Sequence, residues 1–233
     1  MKAKIITLIG NDTSVKASEI CQESSKTIGN TFTVEQFEAV TPDEVPSIMN
    51  KNMLQWTYPL EGGRIDFATG LKLTAYPTMD PNKRIACFLS HWKLWKEVAS
   101  TNEPMLIMEH DAIFDLTKKF DPEYILESGF NLVGINDPRG ATRKSQVYHD
   151  IVKDFKYDIG HVPKVDTYDV PQGLAGNSAY IIKPDLAKEA LELITNIGIW
   201  PNDALLCYQN FKGIGQTKTY HTKVQGTRST TTL

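Results

Sequence analysis

Cysteine is scarce in this chain: Cys21, Cys87 and Cys207 are the only three among 233 residues. Their odd number and wide separation argue against a disulfide scaffold, and no pair has metal-ligand spacing. Cys87 and Cys207 sit among apolar neighbours in the sequence and read as small core residues. Apolar runs of 18 residues are also missing, which excludes a membrane-spanning helix and leaves peripheral membrane contact as the most a bilayer could offer. The apolar start, residues 5–9, is too short for a secretory leader and runs straight into Gly10-Asn11-Asp12. A cytoplasmic protein is expected. Neither Gly-x-Gly-x-x-Gly nor the P-loop pattern occurs, which argues against a dinucleotide cofactor and against a P-loop enzyme. The net charge of −3 supplies no basic field, so nucleic acid is not an expected partner.

What is present is ordinary in amount and ordered in arrangement. Apolar residues make up 41% and charged residues 23% of the chain, and this length can bury a full sheet core as one α/β domain. Within it, residues 1–115 and residues 116–233 are expected to form two halves of that one domain, the second ending in a tail. A strand over residues 4–9, a polar loop, a helix over 15–28 and a strand over 31–39 make the opening of a doubly wound sheet. Residues 41–81 read as irregular, with weak helix signals near 45–54. The clearest helix covers 83–100, where Ile85, Phe88, Trp92, Trp95 and Ala99 fall on one stripe. Arg84 and His91 share one flank of that stripe, and Ser90 points away from it. Short strands follow at 104–108, 131–136 and 178–182. A helix over 184–197 has Pro184 at its start and Gly198 just past its end, and a last helix opens at Asn202-Asp203 and runs to 208. Residues 137–176 read as a long polar loop, functional or mobile by its length. The tail from Lys212 holds four basic residues, Lys212, Lys218, Lys223 and Arg228, and no acid. It is either a solvated end or a cover for an anionic ligand.

Chemistry concentrates in Glu109-His110-Asp111, where an apolar strand stops. Residues two apart in a strand share a face, so both carboxylates emerge together at the end where open α/β sheets bind ligands. Two such acids repel unless a cation or a donor-rich ligand joins them, and a hard divalent ion bridging protein oxygen and phosphate fits. A strand end capped by solvated acids fits the same three residues. Asp203, after Pro201-Asn202, is either a helix cap or a reacting acid.

The order of these blocks resembles glycosyltransferase family 25, which includes lipopolysaccharide and collagen galactosyltransferases. The resemblance rests on the helix containing Cys87-Phe-Leu-Ser90-His91 and on the strand ending Glu109-His110-Asp111. It is strengthened by Asn177-Ser-Ala-Tyr180-Ile-Ile with Pro184 and Ala187, and by Pro201-Asn-Asp203. It implies a GT-A type fold with a mostly parallel central sheet flanked by helices. It also implies inverting transfer of a sugar, usually galactose, from a UDP-sugar to a glycan or lipopolysaccharide-type acceptor. A divalent ion, Mn²⁺ or Mg²⁺, assists. A phosphoester enzyme using the same acids, or a binding module that keeps the fold without catalysis, are the rival readings.

The resemblance also distributes roles. Asp111 holds the metal, and Glu109 faces the donor ribose or a metal-bound water. Ser90 and His91 line the donor pocket or steady the metal-bearing turn, and Gly10-Asn11 meet the nucleotide base. Asp203 is the general base. His221, the only late histidine, becomes a further metal ligand, and Lys218, Lys223 and Arg228 face the leaving diphosphate. Arg84 meets phosphate or makes a surface ion pair. His110 stands where the family has an acid; its side chain is expected on the opposite face of the strand, packing or supporting the ligands rather than serving as one, although an imidazole can bind a transition metal. The loop at 137–176 is expected to shape the acceptor site.

Overall fold

The structure, a computed structural model, describes residues 1–141 and 144–226. Strand β1, Lys2–Thr7, is followed by helix α1, Asp12–Thr27. Asn11 caps that helix by accepting from the Ser14 amide at 3.0 Å, which satisfies one of the free N–H groups of the first turn. Strand β2, Val34–Glu38, leads to a 3-10 turn at Pro42–Glu44 and to helix α2, Val45–Lys51. The hairpin β3, Gly63–Ile65, with β4, Lys72–Thr74, lies within residues expected to be irregular. These three-residue strands are too short to show a period in the sequence.

Helix α3, Pro81–Thr101, begins before the expected start at 83. Asp80 caps it by accepting from the Asn82 amide at 2.9 Å, and Pro81 takes the first position, where its missing N–H costs nothing. It ends at Asn102 in a left-handed conformation, φ 55°. Strand β5, Met105–Glu109, and strand β6, Ala112–Phe114, flank the acidic turn. Then come helix α4, Glu123–Leu126, and strand β7, Leu132–Gly134. Helix α5, Ser145–Lys153, and strand β8, Ile159–His161, stand within the expected long loop. That correction has a visible cause: Tyr148 and Val152, one turn apart, anchor α5 to a small cluster with Ala175 and Tyr220. The chain closes with β9, Ala179–Ile182, α6, Pro184–Ile197, and α7, Asn202–Leu205. Two strands follow in the tail, β10, Ile214–Thr217, and β11, Thr222–Val224. Helix α7 stops three residues short of the expected end.

Among the described residues one seven-stranded sheet runs β2-β1-β5-β9-β7-β10-β8. Strands β2, β1, β5, β7 and β10 run one way, and β9 and β8 run against them. The expected α/β class with a mostly parallel sheet flanked by helices is what the chain forms. Alternation along the strands feeds two cores. Met105, Ile107, Tyr180 and Ile182 enter the larger one with Trp95 of α3, while Leu106, Met108, Ala179 and Ile181 enter the other. Burial on both faces explains why these strands read as unbroken apolar runs. Strands from both sides of residue 115 share this sheet, and β9 lies between β5 and β7. No helix among the described residues is long and apolar enough to cross a membrane.

Candidate active site

A cavity of about 300 Å³ opens at the carboxyl ends of β1, β2 and β5. Ile6 lines it from β1 and Leu8 from just after it, Ala39, Val40 and Pro42 from the stretch after β2, and Glu109, His110 and Asp111 from the end of β5 and the turn that follows. Helix α3 contributes Lys83, Arg84, Ala86, Cys87, Ser90 and His91, and the start of α7 contributes Pro201, Asn202 and Asp203. Residues 100 positions apart in sequence thus meet because β5 hydrogen-bonds beside β1 and α3 packs over both.

Glu109 lies on the α3 side of the sheet, in phase with Met105 and Ile107. Strand β5 stops there, and His110 and Asp111 form a turn rather than a continuing strand. The expected alternation therefore fails at one position, and His110 faces the cavity instead of the opposite side of the sheet. Burial raises the Glu109 carboxyl to about 8, with the charge of Asp111 adding and His110 opposing. Asp111 is raised for the same leading reason, burial, again opposed by His110. Asp111 Oδ1 is buried without a hydrogen-bond partner, as are Nε of Arg84 and Nδ2 of Asn202. Unpaired buried polar atoms are rare in folded proteins, and three of them belong to residues lining this one cavity.

Asp203 does not cap α7: Pro201 holds the cap position, and no side chain caps the helix. Its carboxylate faces the cavity and is exposed to water there, although protein surrounds it. That surrounding protein raises its pKa to about 6, with Glu109 adding and His91 and Arg84 opposing.

His91 is wholly buried and ends a chain of hydrogen bonds. Trp95 Nε1 donates to the Tyr180 hydroxyl at 2.9 Å, and that hydroxyl lies 2.8 Å from His91 Nδ1. A hydroxyl that accepts from Trp95 has its own proton free to give to Nδ1, which leaves Nε2–H facing Glu109 Oε1 at 3.4 Å. The imidazole stacks on the Tyr180 ring at 5.8 Å, and burial lowers its pKa to about 4, so it is neutral. Ser90 has structural partners: its hydroxyl accepts from the Val40 amide at 2.9 Å and donates to the Ala86 carbonyl at 2.9 Å. It ties the stretch after β2 to α3 and so shapes the cavity wall. Arg84 makes a cation-π contact with Tyr76, 4.8 Å from the ring centroid, and donates to the Pro77 carbonyl at 3.3 Å.

Several expected residues lie elsewhere. Gly10, with φ 87°, and the cap residue Asn11 stand at the β1–α1 turn, outside the cavity lining. His221 also lies outside it. Its Nε2 is 2.9 Å from the Tyr124 hydroxyl, its ring packs on Phe120 at 4.9 Å, and burial lowers its pKa to about 4. The sequence distance between His221 and Asp111 is bridged by β11 pairing with β6, but that register sets Thr222 against Phe114, beyond the acidic turn. Lys218 donates to the Phe155 carbonyl at 2.7 Å, Lys212 lies over the Tyr208 ring at 4.1 Å, and Lys223 is exposed on β11. Arg228 lies outside the described residues. None of residues 137–176 lines the cavity. Conversely, Cys87 is a cavity residue rather than a core residue, four positions before His91 on the same helix face. That spacing was the available signal.

An acidic, partly desolvated cavity at the carboxyl ends of parallel strands stands where open α/β sheets bind their ligands. The model of glycosyltransferase family 25 (LPS biosynthesis protein) matches residues 18–206, and the chain belongs to that family. It is a glycosyltransferase, which implies a nucleotide-sugar donor and a glycan acceptor. No curated protein matches the chain. Among solved structures it is similar to a glycosyltransferase involved in the glycosylation of the major capsid of PBCV-1. Identity is 9%, over 98% of this chain and 95% of that one, with a TM-score of 0.42. It is also similar to a putative glucose-1-phosphate thymidylyltransferase from Bacillus anthracis in complex with a sucrose. There identity is 12%, over 93% and 86%, with a TM-score of 0.40.

Proposed function

We propose that this chain moves a sugar, galactose by family habit, from a UDP-sugar to a lipopolysaccharide-type glycan with inversion at the anomeric carbon. The observation that carries the reading is the convergence of Glu109, Asp111 and Asp203 on one cavity. Two walls supply these acids, so a donor held at the β5 end and an acceptor held near α7 would face each other.

Asp203 has the properties of a general base. Raised to about 6, it is ionised at neutral pH yet basic enough to take a proton. As the acceptor oxygen forms its bond to the anomeric carbon, its proton passes to Asp203. The bond to UDP breaks, and its electron pair leaves on the diphosphate oxygen. The Arg84 guanidinium, on the same cavity, is placed to meet that developing charge. Asp111 and Glu109 fit a divalent ion, Mn²⁺ or Mg²⁺, because Asp111 Oδ1 is buried without a partner and the charge of Asp111 raises Glu109 beside it. When bound, such an ion supplies Lewis-acid stabilisation of the leaving diphosphate. In this reading the residues up to 115 form the donor half, and Asp203 brings the acceptor half to it.

UDP release from a panel of UDP-sugars, with Mn²⁺ and a lipopolysaccharide-core oligosaccharide, tests the proposal directly. Asp203→Asn should lower acceptor-dependent release about 10²–10⁴-fold while UDP still binds. Undiminished release would remove Asp203 from the mechanism, and release from nucleotide monoesters alone would favour a phosphoester enzyme.

A further inference from the structure

We infer that Cys87, His91 and Glu109 form a second cation site, suited to a soft divalent ion of the Zn²⁺ class and sharing Glu109 with the hard-ion site at Asp111. Cys87 and His91 lie one turn apart on α3, and Glu109 meets them from the end of β5. One ligand atom from each, sulfur, nitrogen and oxygen, lies within 4.8 Å of the other two. The closest pair sharpens the geometry. His91 Nε2 and Glu109 Oε1 are 3.4 Å apart, long for a hydrogen bond to a carboxylate, for which about 2.7–2.9 Å is usual. Two ligands on a tetrahedral ion, with metal–nitrogen and metal–oxygen bonds of about 2.0–2.2 Å, stand roughly 3.4 Å apart. The pair is therefore already at ligand spacing.

The ligand chemistry selects the ion. Thiolate with imidazole favours Zn²⁺, Co²⁺ or Cu over Mn²⁺ and Mg²⁺, which take oxygen. Binding exchanges the Cys87 thiol proton, released to solvent, for the metal–sulfur bond. His91 must present a bare Nε2, so its proton sits on Nδ1 and is donated to the Tyr180 hydroxyl 2.8 Å away. Metal-bound histidines commonly make such an outer bond. That hydroxyl has two acceptor positions, one already used by Trp95, so it can accept from Nδ1 once its own proton turns away from the imidazole. Water or a cavity ligand completes the coordination. An ion held here takes Glu109 away from Asp111, so soft and hard ions compete for one carboxylate.

Co²⁺ titration of the metal-free 233-residue chain, in a non-thiol reductant, tests this without reference to transfer. A thiolate-to-cobalt charge-transfer band should saturate at one equivalent and be displaced by Zn²⁺. Cys87→Ser should abolish the band and weaken Zn²⁺ binding by about a hundredfold, with its fold checked by circular dichroism. Cys21→Ser and Cys207→Ser, whose sulfurs are buried elsewhere, should keep both. Absence of the band in folded wild type, or its survival at unchanged affinity in Cys87→Ser, overturns the assignment.

Discussion

Residues 81–111 and residues 208–226 each carry a buried histidine, several cations and aromatic rings, yet only the first stretch faces the cavity. In the first, His91 has partners on both ring nitrogens, and its neighbours Cys87, Glu109 and Asp111 turn toward one space. In the second, His221 has one partner, Tyr124, and its Nδ1 is buried without any. The tail's polar groups are spent on backbone carbonyls instead. Gln225 donates its side-chain amide to Ala17 at 2.8 Å and Ala112 at 3.1 Å, and its backbone N–H to the Asp111 carbonyl at 2.8 Å. The tail thus steadies the acidic turn from behind, whereas helix α3 builds the chemistry in front. Charge composition alone does not separate a lining from a buttress.

The comparison breaks most sharply at Asp111. Asp111→Ala should weaken Mn²⁺-dependent UDP binding by about a hundredfold or more, measured by calorimetry with and without the ion. His221→Phe should leave that binding unchanged, because the ring sits against Phe120 and Tyr124 and not on the cavity. Equal losses from both variants would restore His221 to the metal.

A smaller and graded effect follows from Asp203. A base must be ionised to work, so kcat/KM should fall about tenfold per pH unit below about 6. The linkage to stability has the opposite sense from an ordinary ion-paired acid. The folded chain holds this proton up to about 6, while the unfolded chain releases it near 3.8. Between those values the native state binds more protons, so stability falls as pH rises through the window. Asp203→Asn should therefore melt at a higher temperature than wild type at pH 7, with the gain fading as pH approaches 4. Water in the cavity moderates its size. A lower melting temperature at pH 7 would mean that Asp203 is held by favourable contacts rather than tolerated for function.

Next comes the buried chain behind His91. Tyr180→Phe removes one hydroxyl and strands both Trp95 Nε1 and His91 Nδ1, at a cost of about 1–3 kcal/mol in chemical denaturation. A neutral result would show that the chain does not fix the imidazole.

Legibility in the sequence followed the same division. Helix α3 and strand β5 were plain, because a long stripe at helical spacing and an apolar run ending in acids mark them, although the helix begins at Pro81, before the expected start at 83. Glu109, Asp111 and Asp203 were legible as acids at element ends, and the cavity brings them together. What failed was short or non-local. Strands β10 and β11 were hidden because their burial comes from neighbours far away, as when Ile214 pairs with Leu132. His110 misled because alternation assumes that the strand continues, and β5 ends one residue earlier. Cys87 was read from its apolar neighbours in sequence, whereas helical spacing places it beside His91.

The smallest effect belongs to the tail's lysines, and it tests the buttress idea most cleanly. Lys218 Nζ meets the Phe155 carbonyl at 2.7 Å in an exposed contact, and such surface contacts contribute little. Lys218→Ala should change stability by no more than about 0.5 kcal/mol and leave the affinity for UDP and its salt dependence unchanged. A lysine that covered the diphosphate would behave differently: removing it would weaken UDP binding and flatten the response to salt, since an exposed ion pair is screened. Lys223→Ala, on the exposed side of β11, should be as silent. If either variant weakens UDP binding several-fold without lowering the melting temperature, the tail reaches the donor after all, and its assignment as a rear support is wrong.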